Sequence, residues 1–207
     1  MNFFASRSDE HLRQDRHLLM RASVRVVAFV FLLLPLMAHG QIRGPSQFQI
    51  TKITKNLIPT PDYGVAQYRA NPNDRWLEVE VEFVAAPEWT DELTFKYYVL
   101  FNGKLLTGEV THINIPAGRE QHSVMYVPPV ALARFGGNRL LLPNTFQNIA
   151  VQIVQGGAVK DELSLARAPV QWFAGLPPIS GFVLNKNETP FAPLNWDHYV
   201  QIKTPNR

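Results

Sequence analysis

The stretch Trp76 to Val84, WLEVEVEFV, constrains the fold more than any other part of the chain. Leu77, Val79, Val81 and Phe83 alternate with Glu78, Glu80 and Glu82, so one face is apolar and the other acidic. Period-two alternation is the signature of a half-buried strand. A helix would scatter the three carboxylates around its axis. The same period recurs along the chain. Phe48 to Ile58 places Phe48, Ile50 and Ile53 inward, and Leu93 to Phe101 aligns Leu93, Phe95, Tyr97, Val99 and Phe101. Asn102-Gly103 then predicts a two-residue hairpin, because a type I′ turn needs positive φ at both central positions. Lys104 to Leu106 begins the return strand and Glu109 to Ile115 continues it, with Gly108 as a possible bulge position. His122 to Val127, Phe146 to Gln155 and Ala158 to Leu165 read as further strands, the last two joined at Gly156-Gly157. Pro128 to Phe135, closed by Gly136-Gly137, predicts one short helix.

Seven or eight short strands with close turns, and no alternating long helices, predict an all-β, immunoglobulin-like antiparallel β-sandwich. A partly closed barrel is the alternative. The Cys…Trp…Cys landmark of antibody domains is missing, since the chain contains no cysteine. No disulfide can therefore contribute its usual ~2–4 kcal/mol. Thiol chemistry, cysteine metal sites and lipid attachment at an N-terminal cysteine are excluded as well.

The N-terminus reads as a targeting segment. Val26 to Met37 is an apolar run of 12, preceded by Arg16, His17, Arg21 and Arg25. It is shorter than the roughly 20 residues a membrane-crossing helix needs, and it fits the apolar region of a signal peptide. An uncleaved anchor is the alternative. Cleavage is expected between Gly40 and Gln41, with translation starting at Met1 or Met20. The expected organisation is a signal peptide over 1–40 and a single domain over 41–207, with an extended C-terminal segment from about 169. Of 20 basic and 17 acidic residues, five and three lie in the leader, which leaves 15 and 14. So near-neutral a mature chain offers no electrostatic footprint for nucleic acid or an anionic membrane.

Residues that could carry chemistry are few. His112 and His122 could face each other across the turn at Pro116-Ala117-Gly118, but ordinary surface positions explain them as well. Ser46, Ser123, Ser164 and Ser180 lie outside nucleophile motifs; Ser180 with Asp197 and His198 is a triad only on paper. The carboxylates Glu78, Glu80 and Glu82 read as a solvated outer face paired to Lys96 on the next strand. Asn187-Glu188-Thr189 matches a glycosylation sequon. No catalytic residue, metal site or cofactor is expected, and the chain is not expected to be an enzyme.

The last forty residues combine six prolines with Trp172, Phe173, Phe182, Phe191, Trp196 and Tyr199. Disordered segments are poor in aromatics, so this tail is expected to wrap over the body, with strands near Ile179 to Leu184 and Tyr199 to Lys203. Trp172, Phe173, Trp196 and Tyr199 are either pins for the tail or candidate partner contacts.

The start QIRGPSQFQI, the strand WLEVEVEFV, the hairpin around FNGK, the segment YVPPVALARFGG and the Pro-aromatic tail together give a recognisable layout. It resembles a group of exported immunoglobulin-like proteins of Verrucomicrobia such as Akkermansia, encoded beside type IV pilus-like assembly genes. The resemblance implies an all-β fold and a structural or binding role near a pilus machine. It carries over no functional residue. The pilin-type N-terminal signal is absent from the sequence, which implies an accessory protein. The expected role is thus a non-enzymatic interaction protein of the periplasm or cell surface in a Gram-negative-type envelope, with other envelope proteins as partners. A carbohydrate-binding module and a small exported hydrolase are the alternatives.

Overall fold

The computed structural model describes residues 47–65, 71, 73–86, 88–137 and 141–204. The expected signal peptide and the Gly40/Gln41 junction lie outside the described residues. Alternation becomes architecture through burial. Leu77, Val79, Val81 and Phe83 of β2 (Arg75–Ala85) are fully buried, as are Leu93, Phe95, Tyr97, Val99 and Phe101 of β3 (Thr90–Phe101). The two apolar faces meet, with the rings of Phe83 and Phe95 4.7 Å apart.

β2 and β3 are consecutive in sequence yet belong to different sheets. The first sheet runs β1 (Phe48–Pro59), β2, β5 (Gly118–Val127), β9 (Leu184–Asn185). The second runs β7 (Ala158–Ser164), β6 (Phe146–Gln155), β3, β4 (Lys104–Ile115), β8 (Pro178–Ser180). The orders 1-2-5 and 7-6-3-4 are a Greek-key arrangement of the immunoglobulin-like kind. All pairings are antiparallel except β4 with β8.

Both predicted hairpins form. Asn102 and Gly103 have φ of 48° and 71°, and Gly156 and Gly157 have 58° and 79°, as type I′ turns require. The helix α1 (Pro129–Gly136) carries proline in its first turn, buries Ala131 and Leu132, and stops where Gly137 takes φ 64°. Among the described residues no helix is long and apolar enough to cross a membrane.

Gly108 does not mark a bulge. The β3–β4 register runs unbroken from Leu93/His112 to Phe101/Lys104, with Tyr97 opposite Gly108. A Cβ at this position would come within 2.3 Å of the Val183 carbonyl oxygen. Glycine is there because the tail crosses close above it.

The tail uses both outer faces of the sandwich. Phe173 stacks on Tyr98 at 3.7 Å and forms a small apolar cluster with Leu105 and Ala150 on the second sheet. The chain then adds β8 to the edge of β4 and β9 to the edge of β5. Phe191 joins Trp76, Val124 and Tyr126 in a cluster on the outer face of the first sheet. Finally the Val200 amide donates to the His122 carbonyl, the Ile113 amide to Gln201 and the Lys203 amide to Thr111. The last residues thus bridge β5 of one sheet and β4 of the other. On the opposite flank the Ile50 amide donates to the Asp161 carboxylate at 2.7 Å, linking β1 to β7. Unpaired edges invite edge-to-edge association, and the tail occupies the β4 and β5 edges.

Candidate functional site

The acidic face of β2 is not the solvated surface its pattern predicts. The tail lies over it, so Glu78, Glu80 and Glu82 are half-buried. Nor does Lys96 pair with it. Lys96 sits on β3 in the other sheet, opposite Glu109 and Gln152. Strands of one hairpin pair, whereas strands joined by a crossover between sheets do not, and β2 to β3 is such a crossover.

Three side chains converge on this face. Glu80 and His122 are diagonal neighbours on β2 and β5, since His122 lies opposite Glu82. His198 comes from the tail, held in place by the Val200–His122 backbone bond. The Glu80 Oε1 atom accepts from His122 Nδ1 at 2.9 Å and from His198 Nε2 at 3.0 Å. The two imidazoles stack with centroids 4.0 Å apart. All three ligand-capable atoms fall within 4.8 Å of one another. The side chains of Glu80 and His122 are 23% and 18% exposed and that of His198 is 45% exposed, so the cluster is open to solvent on the tail side.

His112 does not face His122 across a hairpin. The turn at Pro116-Ala117 passes from β4 in the second sheet to β5 in the first, and His112 is buried between the sheets. Its Nδ1 lies 3.1 Å from the Val200 carbonyl and its Nε2 lies 2.7 Å from Ser123 Oγ. A carbonyl only accepts, so Nδ1 carries the proton and Nε2 accepts from Ser123. Ser123 in turn accepts from the Tyr97 hydroxyl at 2.8 Å. Every member of this buried relay is satisfied. Burial lowers the His112 pKa from 6.5 to about 4, with the backbone bonds opposing the shift. Burial likewise raises Tyr97 well above its ordinary value, the Ser123 hydrogen bond partly offsetting it. The relay is a structural pin that ties the tail at Val200 to the centre of the sandwich.

Ser180 lies on β8 against Thr107, on the rim of an open groove of about 500 Å³ that Lys96, Tyr98 and Glu109 also line. His198 binds Glu80 of the other sheet, so the paper triad has its serine and its histidine on different sheets. Asn187 is exposed, and its amide is capped by the Asn185 side chain at the head of a single 3-10 turn (Lys186–Glu188).

The four aromatics singled out by the sequence occupy distinct settings. Phe173 is buried on Tyr98. Trp172 is half-buried and donates from Nε1 to Ser164 Oγ at 2.9 Å. Tyr199 is half-buried against the Trp76 cluster, with the Lys186 ammonium 5.5 Å from its ring. Trp196 is 78% exposed. The Glu80, His122 and His198 cluster has no local sequence signature, because its members lie 42 and 118 residues apart. The signal that could have found it is the Greek-key order itself, which pairs the second strand with the fifth and sets Glu80 beside His122.

A protein-family profile matches residues 40–206 of the 207-residue chain. No curated protein matches the sequence. The crystal structure of a protein from Akkermansia muciniphila is similar, with a TM-score of 0.65 and 22% identity over 77% of this chain and 94% of that one. At that identity the likeness concerns the fold. The chain belongs to the family whose profile spans its residues 40–206, and it shares its β-sandwich with the Akkermansia protein.

Proposed function

We propose that this chain is a non-enzymatic, exported interaction protein of the periplasm or cell surface, accessory to a type IV pilus-like or secretion apparatus. The observation that carries the reading is Trp196, an indole 78% exposed on a tail whose neighbouring rings are spent on packing. Tryptophan is the residue most enriched among interface hot spots, where a buried ring anchors the contact. The tail's β8 and β9 close the β4 and β5 edges to strand addition, which favours side-chain docking at this end of the sheets. Export is supported by the leader pattern, a basic stretch followed by an apolar run of 12.

A carbohydrate platform needs several coplanar rings on one exposed face, whereas Trp172 packs edge-on to the buried Phe173 and Tyr199 is held against the Trp76 cluster. The protein-partner reading is therefore preferred. The test is photo-crosslinking in the native host from position 196, with a control at exposed Val159 on β7. Specific capture of pilus-like or secretion subunits from 196 alone is the expected result. Identical patterns from both positions would overturn the reading. A panel of ester, peptide and glycoside substrates, assayed with and without Zn2+, checks the absence of catalysis; turnover would move the protein to the hydrolase class.

A further inference from the structure

We infer that Glu80, His122 and His198 form a binding site for a divalent transition-metal ion, Zn2+ first among them, that staples the C-terminal segment to the outer face of the first sheet. The donor set is two imidazoles and one carboxylate from three separate chain segments. In a tetrahedral zinc site with bonds of about 2.0–2.2 Å, neighbouring ligand atoms lie about 3.3–3.6 Å apart. The Glu80 oxygen already sits 2.9 and 3.0 Å from the two histidine nitrogens and all three atoms lie within 4.8 Å of one another. An ion therefore needs the two carboxylate–imidazole pairs to open by about half an ångström and the two nitrogens to settle at a similar spacing. The positions are preorganised. β2–β5 pairing fixes Glu80 against His122, and the Val200–His122 backbone bond fixes the tail two residues beyond His198.

Chemistry selects the ion. Two nitrogen donors disfavour Ca2+ and Mg2+, which take oxygen ligands. Imidazole with carboxylate suits Zn2+ and its first-row neighbours. Glu78 and Glu82 flank Glu80 on the same face of β2 and add negative potential. The half-exposed His198 leaves a fourth position for water, so the site binds its ion from solvent.

The experiment titrates Zn2+ into the chelator-stripped full chain, purified without a polyhistidine tag, by isothermal calorimetry. One saturable site is expected, weakened at least about tenfold in His198→Gln and in His122→Gln. Zn2+ should also raise the melting temperature of the wild type and slow proteolysis between Asn195 and Val200. Both effects should vanish in His198→Gln, and Mg2+ should reproduce neither. His198→Gln alters only an exposed tail residue, so it keeps the test informative even if His122→Gln folds poorly. No saturable binding overturns the inference. So does binding undiminished in both variants, which would place the ion elsewhere, for instance at the leader histidines His11, His17 and His39.

Discussion

The seven-strand body and the C-terminal tail are built on different principles. In the body, strands such as β2 and β3 alternate apolar and polar residues, β6 is buried along most of its length, and the apolar sides merge into one core of fully buried rings and branched chains. Any one contact there is backed by many others. The tail has almost no periodicity and, among its described residues, only five in strands. It holds on at discrete points: Phe173 on Tyr98, Phe191 between Trp76 and Tyr126, Val200 on His112 and His122, and the near-contact of Val183 with Gly108. The comparison teaches that one chain can hold a cooperative core and a pointwise strap, and that the strap closes the β4 and β5 edges of the core.

The largest effect should come from breaking the body. Phe95→Ala removes a fully buried ring packed on Phe83 and His112, and should cost about 3–5 kcal/mol in urea unfolding. Body and tail should be lost together in one transition.

Next comes the pin between them. His112 titrates near 4 when folded and near 6.5 when unfolded. Between those values the unfolded chain holds a proton that the folded chain does not, so stability is full above about pH 6.5 and falls as pH drops toward 4. The loss should be roughly 3 kcal/mol. Urea midpoints measured from pH 7.5 to 4 should show this limb in the wild type, and His112→Gln should flatten it.

A smaller effect should single out the tail. Gly108→Ala drives a methyl group into the Val183 carbonyl and should cost about 1–3 kcal/mol. Limited proteolysis should then cut the tail while β1–β7 survive. Equal resistance to protease would show that the tail can shift at no cost. The smallest effect should be at Trp196→Ala, within about 0.5 kcal/mol, because an exposed side chain contributes little to folding. Thermal melts of this variant should overlay the wild type even where partner capture fails.

The body was largely legible in the sequence because its determinants are local. Period two places the strands, and Asn102-Gly103 and Gly156-Gly157 place the hairpins. Which sheet a strand joins is not local. The connections from β2 to β3 and from β4 to β5 cross between sheets, and nothing in their composition distinguishes them from hairpins. That is why Lys96 was expected beside the β2 carboxylates and His112 beside His122. Gly108 read as a bulge because a sequence shows that a side chain is missing, never what occupies its space. The candidate site was illegible for the same reason: Glu80, His122 and His198 meet only after the Greek key and the tail are both in place.

Native-state hydrogen exchange on the full chain tests the two-tier claim most directly. The account predicts that the amides of Val200, Lys203 and Ile113, which bond across the tail junction, exchange together through a partial opening. The amides of β3, flanked by β4 and β6, should exchange only by global unfolding, with a distinctly higher opening free energy. Junction amides that exchange at the same free energy as β3 would contradict the account and make tail and body one cooperative unit.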